Sequence, residues 1–200
     1  GYAESMKKSA VGQADDPISY PYQTLADIYT LKAQYDLANE ALNKYLRLEN
    51  SKTADAYVLS RQAFIYYLDR QYPRALELVD QSLKTYNSTE ITDNTSPEVH
   101  WIKGLILLES NKVEESRVEL EWLKKLCRTY NLDQDNFKAA FKYFIHLEAL
   151  VLEKEKKINE AEEKFRFLLS MKNSLSYWIT YYNYQYFHTE YAKFLNRGQR

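Results

Sequence analysis

Glycine and proline are scarce in this sequence, with 4 of each among 200 residues. A β-sandwich made of short strands and many tight turns uses more of both residues, so the composition favours long helices joined by short links. The glycines stand far apart, at Gly1, Gly12, Gly104 and Gly198. Since a phosphate-binding loop needs several neighbouring glycines, that class of nucleotide site is excluded.

Cysteine is rarer still, because Cys127 is the only one in the chain. A single cysteine excludes an internal disulfide and a multi-cysteine metal site. The sequence therefore carries no mark of an oxidising compartment, and a cytoplasmic location is predicted. An extracytoplasmic location is left open, since Gly1 is compatible with an N-terminus left by cleavage of a leader.

Histidine is also sparse, and the three histidines do not form a metal-ligating pattern. His100, His146 and His188 fall on three different predicted helices, with no further histidine or cysteine at ligand spacing. Basic residues flank Cys127 and would favour a reactive thiolate, but without a nearby histidine a structural cysteine is predicted. No catalytic residue, metal site or cofactor is predicted, and the chain is not expected to be an enzyme.

Neither sign of charge is in excess, because 27 lysines and arginines face 28 aspartates and glutamates. A nucleic-acid-binding protein usually has a basic surface, so no nucleic-acid partner is predicted. Residues 173–189 contain no Lys, Arg, Asp or Glu and approach the length of a membrane span. The same stretch is rich in asparagine, glutamine, serine and threonine, so no membrane insertion is predicted.

A recurring pattern of apolar residues is the main feature that the sequence does contain. Tyr22, Leu25, Ala26 and Tyr29 lie on one face of a helix, at spacings of three and four residues. A second such pattern follows a turn near Gln34, and neither helix can bury its apolar face alone. We therefore predict antiparallel helix pairs. Their predicted bounds are 19–52, 56–89, 97–130 and 137–175, with a partial fifth unit at 176–200 and an N-terminal arm or short helix at 1–18.

A small residue early in each second helix sets the register of the pairs. These residues are Ala38, Ala75, Ser116 and Ala161, and they lie 37, 41 and 45 positions apart. Such spacing is typical of a helical repeat array, with an irregular all-helical domain as the alternative. A small residue suits a close crossing of two helices, because a large side chain would overpack the contact.

At these positions the chain resembles the tetratricopeptide repeat family. The closest match is in the first pair, at Tyr22, Leu25, Ala26, Tyr29, Tyr35, Ala38 and Leu42. Later pairs depart from the family pattern, since Gln62, Lys103 and Glu148 stand where the family prefers leucine. The resemblance implies an all-α fold, a right-handed α-solenoid of antiparallel helix pairs with about four and a half repeats, forming one domain over 19–200.

The resemblance also implies a protein–protein interaction scaffold. In this family the first helices of the pairs line a concave groove that binds a peptide or protein segment. The corresponding groove positions here are Phe64, Tyr67, Trp101, Leu105, Tyr143 and His146. Exposed aromatic residues clustered in a concavity are typical of a binding site. Packing of the same residues against the N-terminal arm or a neighbouring helix is the alternative.

The C-terminal segment is aromatic on nearly every side of its predicted helix. The end helix of a solenoid usually has a polar outer face. We therefore predict that this helix is either continued by a second helix of a longer protein or used for self-association into a homo-oligomer. The candidate self-association residues are Trp178, Tyr182 and Phe187.

A second function class is left open by the sequence. The chain would then be a regulatory or sensory domain of a larger signalling or transcription-regulating protein, whose output domain lies outside these residues. The identity of a partner cannot be read from the residues. Asn87 and Asn94 begin N-glycosylation acceptor patterns, which are expected by chance in a polar tract such as 84–97.

Overall fold

A computed structural model describes residues 19–88, 96–131, 138–171 and 181–198. Within these ranges the chain forms nine α-helices and no β-strand, which confirms the all-α prediction. The predicted N-terminal arm at 1–18, Trp178 and Asn94 lie outside the described residues. The helices are α1 (Tyr20–Leu31), α2 (Tyr35–Glu49), α3 (Lys52–Leu68), α4 (Tyr72–Asn87), α5 (Pro97–Glu109), α6 (Val113–Thr129), α7 (Lys138–Lys154), α8 (Ile158–Ser170) and α9 (Tyr181–Gly198).

Consecutive helices pack as pairs: α1 with α2, α3 with α4, α5 with α6 and α7 with α8. These pairs fall on the four predicted units, although α3 begins at Lys52 rather than at residue 56. In the part of the chain that the structure describes, no helix combines the length and the apolar character that a bilayer span requires.

The chain divides into two compact units, with the boundary between Ser51 and Lys52. The first unit contains the α1–α2 pair, and the second contains α3 to α9. The prediction of one domain over 19–200 stays a prediction.

The turn inside each pair has the same backbone conformation four times. One residue of each turn has positive φ: Ala33 (54°), Arg70 (61°), Asn111 (59°) and Lys156 (64°). The backbone N–H of the next residue donates to the carbonyl five positions earlier, as in Lys112 to Leu107 at 2.8 Å and Lys157 to Leu152 at 3.0 Å. This is the Schellman arrangement, which satisfies carbonyls at the end of the first helix. Four different residue types, none of them glycine, adopt the left-handed conformation.

Small residues lie at matching positions on the two helices of each pair. The register residues Ala38, Ala75, Ser116 and Ala161 are all fully buried, with 0% of their surface exposed. Each is preceded, 12 positions earlier on the first helix, by another small residue: Ala26, Ala63, Gly104 and Ala149. The Ser116 hydroxyl donates to the Gly104 carbonyl at 3.0 Å, so the two backbones lie close together there.

Within the second unit, each pair also packs against the next. Helix α5 contacts α3 and α4 in addition to its partner α6, and α7 contacts α5 and α6. A β-carbon added to Gly104 would lie 2.5 Å from Leu147 Cδ2, so α7 crosses α5 closely. One apolar cluster runs through these contacts, with buried members from α3 to α9. Stacked pairs that share a core in this way are typical of repeat proteins.

Replacement of a register residue by a large one should destabilise the fold. Ala75→Leu should lower the free energy of unfolding by about 1–3 kcal/mol, because the fully buried site has no room for the added carbons. Urea denaturation measures this change. Gln81→Leu, at an exposed position of the same helix, is the matched control and should stay close to wild type. Equal stability of Ala75→Leu and the control would contradict the register.

The shared turn gives a second prediction, at exposed Lys156 with its φ of 64°. Valine is β-branched and strained at positive φ, whereas glycine adopts that conformation freely. Lys156→Val should therefore unfold at lower urea than Lys156→Gly, with a stability difference of roughly 1–2 kcal/mol. Circular dichroism during denaturation measures both variants. The same midpoint for the two would show that the turn does not hold this conformation.

Candidate functional site

Helices α3, α5 and α7 bring aromatic side chains together on one side of the second unit. We call this surface the aromatic face and define it by Phe64, Tyr67, Trp101, Tyr143 and His146. Phe64 and Tyr67 lie three residues apart on α3, and Tyr143 and His146 have the same spacing on α7, so each pair shares one side of its helix. The first helices of three successive pairs thus each supply part of the face.

The rings of the aromatic face form a continuous row. The centroids of Phe64 and Trp101 are 5.4 Å apart, and those of Trp101 and Tyr143 are 4.8 Å apart in a stacked arrangement. Trp101 is therefore the centre of the row, in contact with rings from both neighbouring first helices. Offset or tilted rings at these distances attract one another beyond the effect of area burial.

These residues are buried, which corrects the expectation of an exposed groove. Trp101 and His146 have 0% of their surface exposed, and Phe64 and Leu105 have 1%. Tyr143 is also buried and Tyr67 is partly buried. The reason is that helix α9 lies on the aromatic face. Packing against a neighbouring helix, the alternative for these positions, is therefore what the folded chain adopts.

Two adjacent residues of α9 contact all three first helices. The ring of Tyr186 stands edge-on to Phe64 at 5.5 Å and to Trp101 at 5.7 Å. Its hydroxyl shares a 3.1 Å hydrogen bond with the hydroxyl of Tyr67. Phe187 contacts the His146 ring at 4.8 Å and Trp101 at 6.0 Å. Tyr186 and Phe187 therefore anchor α9 on the aromatic face.

The C-terminal half of α9 packs on the last helix pair. Tyr191 and Phe194 both contact the ring of Phe165 on α8, at 5.7 Å and 5.1 Å. Arg197 forms two hydrogen bonds with the Glu153 carboxylate, at 2.7 Å and 2.8 Å, close to the end of α7. Helix α9 thus occupies a place next to the α7–α8 pair and also extends across the aromatic face to α3.

The three residues predicted to mediate self-association differ in how much the structure describes of them. Phe187 is 2% exposed and packs inward on His146, and its role in self-association stays a prediction. Tyr182 lies on α9, and its side chain is outside the described part of the structure. Trp178 is outside it altogether.

His146 is a buried neutral acceptor at the centre of the site. The indole N–H of Trp101 donates to His146 Nδ1 at 3.0 Å, which places the imidazole proton on Nε2. Burial lowers the pKa of His146 to about 3, since the charged form would lose its hydration. Among the described residues, Nε2 has no hydrogen-bond partner.

Tyr67 on α3 and Glu190 on α9 are polar groups with little exposure near the contact of α9 with the aromatic face. Burial raises the pKa of Tyr67, so its hydroxyl stays protonated when it bonds to Tyr186. Glu190 of α9 is 7% exposed and pairs with Lys193 of the same helix at 2.7 Å. The contact between α9 and the aromatic face therefore contains polar groups as well as rings.

Other titratable residues of the second unit have structural partners. His100 stacks on Trp122 at 3.6 Å and bonds to Glu119 at 2.6 Å, and Lys103 bridges Glu119 and Asp80. This cluster connects α5 to α4 and α6.

Cys127 is 5% exposed, and burial raises the pKa of its thiol to about 11. The thiol is protonated at neutral pH, which fits the structural role predicted for it. No group of histidine, cysteine and carboxylate side chains within the described ranges has the arrangement of a metal site.

Sequence reasoning missed Tyr186 as a central contact. The spacing of Phe187, Tyr191 and Phe194, four and then three residues, marks one side of α9. That signal identifies an inward side of the helix. The surface that receives it is determined by the fold, and the sequence pattern does not reveal it.

No protein-family model matches the sequence, and no curated protein is significantly similar to it. The assignment of the fold and of the site therefore rests on the structure of the chain itself.

The lowered pKa of His146 predicts acid sensitivity. Because its folded-state pKa of about 3 lies below the ordinary value of about 6.5, its contribution to stability is complete above pH 6.5. That contribution is lost as the pH falls from 6.5 towards 3, and the loss between pH 7 and pH 5 is about 2 kcal/mol.

Urea denaturation at each pH measures this dependence. His146→Gln keeps an acceptor for the Trp101 N–H but cannot be protonated, so its stability should fall less between pH 7 and pH 5 than that of wild type. His188→Gln, at an exposed position on α9, controls for the loss of an imidazole. The same pH dependence in wild type and His146→Gln would rule out this assignment.

Proposed function

We propose that this chain is a non-enzymatic helical-repeat module that binds protein segments. In this proposal the helix pairs form a right-handed, tetratricopeptide-like α-solenoid of about four and a half repeats. The observation that carries it is the fourfold recurrence of one unit. Each copy has a Schellman turn, a small residue on the first helix and a fully buried small residue on the second.

The packing of the second unit supports a repeat architecture. Helix α7 packs on the α5–α6 pair in the same way that α5 packs on the α3–α4 pair. Each pair therefore covers the apolar side of the pair before it, and the first helices α3, α5 and α7 follow one another on one side. A surface built from successive first helices is suited to an extended ligand, because it is longer than any single helix contact.

The chemistry of the aromatic face supports a protein ligand. Large aromatic side chains bury much area with few rotatable bonds, and they dominate protein interfaces for that reason. The face already accepts a helical protein segment, since Tyr186 and Phe187 of α9 lie on it. With a formal net charge of −1, the chain has little long-range electrostatic attraction for a partner, so we assign binding to shape and ring burial.

The proposal assigns no catalytic role to the titratable residues. His146 accepts a hydrogen bond from Trp101 in a buried site, and the buried thiol of Cys127 is protonated at neutral pH. The carboxylates of Glu119 and Glu153 bind a histidine, a lysine or an arginine of neighbouring helices. No cofactor, metal, nucleic acid or membrane is part of the proposed function.

Site-specific photo-crosslinking tests the proposed binding surface. Glu109 is exposed at the end of α5, and it lies four residues after Leu105 and eight after Trp101, on the same side of the helix. A photoreactive amino acid at Glu109 should crosslink discrete proteins in a lysate of the source organism. The control places the same group at Val118, which is 68% exposed on α6 of the same pair. Equal crosslinking from both positions, or none from Glu109, would refute the proposal.

A further inference from the structure

We propose that the aromatic face binds an amphipathic helix of a partner protein that carries two adjacent aromatic residues, and that α9 is the resident competitor of this partner helix. The inference rests on the proposed function, because it specifies the ligand of the same surface. The chemistry of the ligand is taken from α9, the helix that already fits the site.

Two adjacent residues of α9 reach all three first helices. Tyr186 contacts Phe64 and Trp101, and Phe187 contacts His146. The whole helix spans about 27 Å over its 18 residues, and its C-terminal half packs on α8 and the end of α7. The aromatic face itself is therefore filled by one turn of a helix.

The side chains of α9 define the pattern that a partner helix needs. Adjacent aromatic residues, Tyr186 and Phe187, fill the space between Phe64 and His146. Tyr191 and Phe194 follow at positions five and eight from Tyr186, and both contact Phe165. Arg197 then pairs with Glu153 at the margin. A partner helix with this order of aromatic residues and a cation would reproduce the same contacts.

The contacts of α9 with the second unit combine apolar and polar groups. Tyr186 and Phe187 belong to the main core, whereas the Tyr67–Tyr186 hydrogen bond is polar and the end of α9 is held by the ion pair of Arg197 with Glu153. His146 Nε2 is a donor that α9 leaves unpaired among the described residues, and an unpaired buried donor weakens the contact. A partner helix that places an acceptor beside Nε2 would remove this cost.

Competition by α9 should lower the affinity of the aromatic face for a helix supplied in trans. A helix held on the same chain has an effective local concentration of about millimolar, so a ligand supplied in trans must compete with it and binds with a reduced apparent affinity. Weakening of α9 in the full chain should then increase the affinity for a helix supplied in trans, although no residue of the face itself is changed.

The experiment uses a fluorescent peptide of residues 181–198 and the full chain. In anisotropy titrations the peptide should bind Tyr186→Ala/Phe187→Ala at least about tenfold more tightly than wild type. Leu195→Ala, at a half-exposed position of α9, is the matched control and should bind like wild type. A peptide with alanine at 186 and 187 should not bind the double variant.

A second variant keeps the test decisive if the double variant fails to fold. Arg197→Ala removes the ion pair to Glu153 at an exposed margin without opening the core. It should increase the peptide affinity about threefold, and circular dichroism should show an unchanged helix content. The same affinity for wild type and Arg197→Ala, or no binding to a folded double variant, would overturn the inference.

The outcomes separate this inference from the proposed function. Crosslinking from Glu109 combined with absent peptide binding would overturn only the assignment of a helical ligand and its competition with α9. Absence of both would refute the proposed function as well. Light scattering should show a monomeric wild-type chain, and a dimer that the peptide dissociates would overturn the partner assignment in favour of exchange between two copies.

Discussion

The close crossing of two helices within each pair is the contact on which the rest of the structure depends. Where Ser116 donates to the Gly104 carbonyl, the two backbones are near enough for a short side chain to join them. This proximity brings two apolar helix sides together and leaves a continuous surface for the next pair. Leu147 of α7 uses that surface at Gly104, where even a β-carbon would be crowded.

Helix α9 makes the aromatic side chains of the first helices part of the core. In a bare stack, the rings of Phe64, Trp101 and His146 would lie against water at a large cost in free energy. With Tyr186 and Phe187 over them, they become part of the main core of the second unit. The same side chains thus stabilise the folded chain and provide the contacts by which a ligand would bind, so stability and binding are coupled at this surface.

The sequence predicted the helices, the pairing and the register because these depend on local spacing. Ala75 and Ala161 lie early in their helices and are fully buried, as their small size requires at a crossing. The left-handed turn residues escaped prediction, since arginine and lysine at these positions do not signal positive φ as glycine does. The sequence also did not predict that α9 packs on the aromatic face. Where a terminal helix packs depends on contacts between residues more than 100 positions apart, such as Tyr67 and Tyr186.

The two small residues of each pair have a constant separation, although the pairs themselves are unevenly spaced along the chain. Each small residue of a first helix precedes its counterpart by 12 positions in all four pairs, whereas the register residues lie 37, 41 and 45 positions apart. The added residues therefore lie outside the segment that joins the two small residues, in the outer helix ends and in the links between pairs. The turn and the helical segments that flank it are thus the constant part of each pair, whereas the outer helix ends and the links are where the copies differ in length.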